Sequence, residues 1–165
     1  MGAQTRYGFF SPIGAAGGIV DLAPYAIDTF LNEEDNGKLK FGIGVVKGSI
    51  PGTNVAIPAK GAKATDFEGV TTNNRTTEYN VDGELSVKKG SSVGVMKYGR
   101  IYVRVAAGVS PVYGDALYLI VSGDEAGYFT NASGENAVAV KGKFLGGVDA
   151  ASKVATVELY NQAQA

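Results

Sequence analysis

The sequence contains no cysteine, no histidine and no tryptophan. Without cysteine there is no disulfide, no thiolate nucleophile and no cysteine-held zinc. Without histidine the chain lacks the side chain that most often moves protons near neutral pH and most often ligates metals. An enzyme built from these 165 residues would depend on carboxylates, lysine and tyrosine. Concentrated basic charge is missing too. Fifteen Lys and Arg stand against sixteen Asp and Glu, and the net charge is −1. Basic residues come in ones and twos, such as Lys88-Lys89. A direct nucleic-acid partner, which needs a stripe of phosphate-neutralising cations, is therefore not expected. No apolar run approaches the ~20 residues that span a bilayer. The N-terminus shows no basic start leading into an apolar core. Arg6 stands where a myristoylation signal needs Ser or Thr. The reading is a soluble chain made in the cytoplasm, with no membrane partner.

What the chain has in excess is glycine, 24 residues, roughly twice ordinary usage. They follow no three-residue period, which excludes collagen and favours a turn-rich β-protein. The length suits one domain. In "KLKFGIGV", Leu39, Phe41, Ile43 and Val45 alternate with Lys38, Lys40, Gly42 and Gly44. In "RIYVRV", Ile101, Val103 and Val105 alternate with Arg100, Tyr102 and Arg104. Period-two alternation predicts strands with one buried and one wet face. Shorter runs lie at 55–57, 67–71, 93–96, 138–140 and 155–159. Asn36-Gly37 and Asp82-Gly83 predict tight hairpins, and Gly52, Gly61, Gly90 and Gly108 predict further turns or bulges. "AKATDFEG" allows one short helical turn capped by Thr65 or Asp66. The predicted fold is all-β: a compact sandwich or barrel of short antiparallel strands with an extended N-terminal arm.

Three regions follow: an arm over 1–25, a single β-domain over 26–160, and a flexible tail over 161–165. In the arm, Tyr7, Phe9, Phe10 and Ile13 are apolar anchors among glycine, alanine and proline. Such a segment either lies along the protein's own sheet or orders on a neighbouring subunit, where its aromatics fill pockets.

Candidate sites are few. "NEEDNG" (32–37) concentrates oxygen donors but lacks the spacing of a calcium loop, and reads as a solvated turn. Asp115, Asp124 and Glu125 sit at the ends of "GDALYLIVSGDEAGYFTN" (114–131). Adjacent acids in a hairpin loop do not make the paired carboxylates, roughly 5–10 Å apart in a cleft, of a glycosidase. They read as turn residues between two strands, with Phe129 returning to the core. No catalytic, metal or cofactor residue is predicted. In "ALYLIV", Leu117, Leu119 and Val121 alternate with Tyr118 and Ile120, so that both faces are apolar and internal burial is expected. Asn74-Arg75-Thr76 and Asn131-Ala132-Ser133 match the glycosylation tripeptide, which carries no weight without a secretory signal. Arg100, Tyr102 and Arg104 share one strand face, and Arg and Tyr are enriched at interfaces.

The order of segments carries a resemblance. "FGIGVVKG", "FEGV" (67–70), "GRIYVRV" (99–105), "GDALYL" (114–119), "GYFTN" (127–131) and "VATVEL" (154–159) together resemble the structural cement, or capsid decoration, proteins of tailed bacteriophages. The likeness spans most of the chain. It implies a non-enzymatic virion protein, without cofactor, on the outer surface of the phage head. There it would bind the major capsid protein and itself, as a dimer or trimer, and stabilise capsomer contacts. On that reading Tyr7, Phe9, Phe10, Ile13, Arg100, Tyr102 and Arg104 are the candidate capsid or subunit contacts. The alternative is a carbohydrate-binding β-sandwich that stacks sugars on Tyr98, Tyr102 and Tyr118.

Overall fold

A computed structural model describes residues 14–73, 78–79 and 85–161. Tyr7, Phe9, Phe10, Ile13, the Asp82-Gly83 turn, Asn74-Arg75-Thr76 and most of the tail lie outside the described residues. The fold is all-β, as predicted. Its strands are β1 (Ala26–Asn32), β2 (Gly44–Lys47), β3 (Asn54–Ala56), β4 (Phe67–Thr71), β5 (Glu78–Tyr79), β6 (Leu85–Ser86), β7 (Ser92–Arg104), β8 (Ala116–Ile120), β9 (Phe129–Thr130), β10 (Ala137–Phe144) and β11 (Val154–Leu159). One 3-10 turn, Ala64–Asp66, interrupts them. The N-cap position there is held by Lys63, not by Thr65 or Asp66, and the Asp66 carboxylate at the third helical position reaches back to accept the Lys63 N–H at 2.9 Å.

The strands close on themselves. In the order β1-β3-β2-β4-β7, β7 returns to pair with β1, and a five-stranded barrel results. The same β7 continues into β11, β10, β8 and β9. A parallel bridge from Phe129 to Val105, just past β7, brings this second group back to its start. Closure removes the open edges of the five barrel strands, while β5 and β6 pair only with each other in a separate two-stranded sheet. The pairing is not antiparallel throughout, because β1 runs parallel to β3.

Two apolar clusters fill the molecule. Phe30, Leu39, Phe41, Val55, Val93 and Val95 belong to one, and Ile101, Val103, Leu117, Leu119, Phe129 and Phe144 to the other. Strands β2 and β7 serve both, Val45 and Val46 of β2 facing opposite ways. In β7 an irregularity makes this possible. Ala26 opposes Tyr98 while Ile27 opposes Met96, so one extra residue enters β7. A bulge of this kind inverts the alternation. Val93 and Val95 therefore feed one cluster, and Ile101 and Val103 the other. Two runs that read separately in the sequence are one 13-residue strand.

Two further expectations need correction. "KLKFGIGV" is a strand only from Gly44. Leu39, Phe41 and Ile43 are buried as predicted, with at most 3% exposed, but on a turn. Gly42 bends the chain at φ +72°, a left-handed conformation that disfavours any Cβ. Thr71 Oγ1 holds the turn, donating to Lys40 O at 2.8 Å and accepting from Ile43 N at 3.1 Å. The Asn36-Gly37 turn forms, yet β1 and β2 on either side of it do not pair, so it is no two-residue hairpin. Asn36 instead accepts the N–H of distant Lys89.

Candidate interaction surface

The predicted strand–turn–strand at 114–131 is present. Leu119 of β8 opposes Phe129 of β9, and Phe129 is fully buried, edge-on to Phe67 at 6.5 Å. Such an aromatic pair adds roughly 0.5–1.5 kcal/mol beyond its buried area. Two of its acids, Asp115 and Glu125, are committed to structure. Asp115 accepts from Asn131 Nδ2 at 2.7 Å and from Val112 N at 3.0 Å. The Asn131 bond first, then the Val112 N–H, holds its carboxyl below the ordinary value. The same bond engages the Asn131 of the glycosylation tripeptide. Glu125 accepts the Ala107 N–H.

The "NEEDNG" acids are likewise engaged. Glu33 accepts from the Ser49 N–H and hydroxyl. Glu34 accepts from Ile57 N, and Asp35 pairs with Lys38 and Lys89. Asn32, expected in a solvated turn, is buried and donates to Val87 O at 2.9 Å. Among the described residues no three His, Cys, Asp or Glu gather where a metal ion could be held. An open hollow of about 410 Å³ lies between the turns at Gly37 and Gly123, and Asp124 is the one acid of its lining. It does not supply the paired carboxylates of a hydrolase.

Arg100, Tyr102 and Arg104 are half-buried, and each is engaged within the chain. Residues 14–21 lie along β7 as a strap. Gly17 N donates to Tyr102 O at 2.7 Å, Tyr102 N to Gly18 O at 3.0 Å, and Val20 N to Arg100 O at 3.1 Å. Ile19 bridges antiparallel to Ile101. The strap is glycine-rich because it runs against backbone and ring: a Cβ on Gly14 would lie 2.5 Å from the Tyr102 ring, and one on Gly17 2.7 Å from Asn73 N. Tyr98, Tyr102 and Tyr118 are all half-buried, and Gly14 packs against the Tyr102 ring, so none of the three offers the sugar-stacking alternative a fully open platform. Arg104 Nε donates to Phe41 O at 3.0 Å. Arg100 clasps the end of the strap, its Nη1 donating to Asp21 Oδ2 at 2.8 Å.

From that clasp a row of side chains crosses the sheet that sequence reasoning missed. Arg100 on β7 stands opposite Glu158 on β11, and Glu158 opposite Lys143 on β10. The successive ion-pair separations are 2.8 Å from Asp21 to Arg100, 3.5 Å from Arg100 to Glu158, and 3.6 Å from Glu158 to Lys143. Lys143 Nζ ends the row 5.2 Å from the centre of the Tyr113 ring. The Ala23 N–H and then Arg100 hold Asp21 below its ordinary carboxyl value, and Tyr113 foremost raises Lys143. No local motif announces this row, because its members come from five separate segments. The chemistry it offers is contact, through alternating charges and exposed aromatics.

Comparison with known proteins agrees. No curated protein matches the sequence. A chain of the solved structure described as "The capsid of Myoviridae Phage XM1" has the same fold, with a TM-score of 0.71 at 20% identity, covering 96% of this chain and 98% of that one. Residues 3–160 match the family model described as "Structural cement protein (E217 gp24/Pam3 gp6)". The chain belongs to the structural cement protein family.

Proposed function

We propose that this protein is a non-enzymatic component of a phage virion that binds the outer surface of the assembled head and stabilises contacts between capsomers. Its partners are the major capsid protein and further copies of itself, as a dimer or trimer, after synthesis in the host cytoplasm. The observation that carries this reading is the family match over residues 3–160. It is supported by the engagement of Glu33, Glu34, Asp35, Asp115 and Glu125 in hydrogen bonds and ion pairs within the fold.

A shell is held by many repeated interfaces. A protein that bridges neighbouring capsomers binds only the assembled lattice, and so stabilises it by mass action. A standard interface buries about 1,600 Å², and an oligomer that engages several sites at once gains effective concentration as well. Tyr7, Phe9, Phe10 and Ile13, upstream of the strap, are the proposed anchors on the capsid. Arg100 and Tyr102 act behind them by fixing the strap from which that segment extends, and Arg104 by holding the Phe41 carbonyl of the turn beside it.

The test adds the full-length protein to heads of its own phage that lack it, then measures occupancy by cryo-EM and DNA release on heating. Decorated heads should withstand a higher temperature than bare ones. Replacing Tyr7, Phe9 and Phe10 together by alanine should lower occupancy while the circular dichroism of the free protein stays unchanged. Heads that gain neither density nor heat resistance from the wild-type protein would refute the function.

A further inference from the structure

Among the described residues, the three most exposed large apolar side chains are Leu22 at 98%, Tyr113 at 69% and Val112 at 63%. They stand at the two ends of the charged row. Leu22 follows Asp21 at one end; Tyr113, with Val112 beside it and exposed Tyr160 near Lys143, stands at the other. Leu22 is not on a loose loop. Asp21 accepts the Ala23 N–H at 2.9 Å and the Arg100 guanidinium at 2.8 Å, and Pro24 follows. A pre-ordered apolar knob loses little entropy on binding.

The charges between these ends run Asp21, Arg100, Glu158, Lys143: minus, plus, minus, plus. Their sum is zero, which gives a polyanion nothing to hold. The pattern has another property. Turned by 180° about an axis through its middle, it reads plus, minus, plus, minus. Asp21 then faces Lys143 of another copy, and Arg100 faces Glu158, twice each. Leu22 meets the aromatic end at both extremes. The four charged side chains remain 27–39% exposed, and a guanidinium or carboxylate has capacity for a second partner. At roughly 4.8 Å per strand step, the row with its apolar ends spans roughly 25 Å. That is about the breadth of the ~800 Å² each partner gives to a standard interface.

We propose that this outer face, across β7, β11 and β10, is a twofold interface whose occupant is the same face of a second copy of this chain. The inference deepens the proposed function and rests on its self-association. Self-complementarity is the requirement of an isologous contact, and the alternating row with apolar ends meets it. A head-to-tail ring would place no such demand on one face.

The test is analytical ultracentrifugation of the full-length protein, with Leu22→Lys and Tyr113→Glu run alone and in equimolar mixture. The wild type should be a dimer. Each variant should dimerise at least about tenfold more weakly, because a twofold interface carries every lesion twice. The mixture should recover a heterodimer, in which the introduced lysine faces the introduced glutamate. Glu158→Lys combined with Lys143→Glu keeps their ion pair within the chain but sets like charges opposite across the axis, and should also give monomers. Both end positions are exposed, so circular dichroism should remain that of the wild type. A monomeric or trimeric wild type, or variants that associate like it, would overturn the interface. Variants that still dimerise but no longer decorate heads would reassign the face to the capsid protein. Decoration by the wild type is scored separately, so a failed interface and a failed function are told apart.

Discussion

At the scale of single residues, Thr71 shows how much can hang on one hydroxyl. It is fully buried and ties the turn at 40–43 to the end of β4, accepting from Ile43 N and donating to Lys40 O. Thr71→Val keeps the shape and strands the Ile43 N–H, so a loss of about 1–3 kcal/mol is expected in urea unfolding. Thr71→Ser should recover most of it. Neither this role nor that of buried Asn32 was legible in the sequence, because both partnerships are set by long-range topology. Asn32 reaches Val87, 55 positions away. The local role of Asp115 was legible, since a turn acid meets N–H groups within three residues.

At the scale of elements, the strap and the two-residue β9 depend on different physics. The strap is held by backbone hydrogen bonds and the Asp21 clasp, with almost no buried apolar side chain. Asp21→Ala should leave the thermal midpoint nearly unchanged and speed amide exchange at Gly17 and Val20 several-fold, read by hydrogen-exchange mass spectrometry. Strand β9 is held by one ring. Phe129→Ala should cost roughly 3–5 kcal/mol by denaturant titration, because it empties a fully buried site among Leu119, Phe67 and Val105. The sequence located most strands, since alternation reports burial directly. It misplaced two features for one reason: alternation reports burial and not extension. Leu39, Phe41 and Ile43 alternate on a turn, while the bulge in β7 breaks the phase of a continuous strand. The parallel pairing of β1 with β3 leaves no trace in the pattern at all.

At the scale of the molecule, the lack of histidine and cysteine has a measurable result. Asp21, Glu33, Asp35, Asp115 and Asp149 are all held below their ordinary values, chiefly by hydrogen bonds from Ala23, Ser49, Lys89, Asn131 and Ser152 respectively. In the unfolded chain such carboxyls titrate near ~4. The unfolded state therefore takes up protons first as acid is added, and stability falls as the pH drops from there through the depressed folded values. Above that window no side chain in the sequence has an ordinary pKa between about 5.5 and 8, since there is no histidine. Urea midpoints should be flat across that range and should drop by about pH 3. A slope near pH 6.5 would contradict this. The shared strand β7 sets one further property, directional strength. The strap runs antiparallel beside β7, so tension along the strand axis strains its hydrogen bonds simultaneously, while tension across the axis peels them one after another. If the proposed attachment through the N-terminal segment holds, a capsid that pulls along β7 meets a stiff tether, and one that pulls away from it meets a zipper.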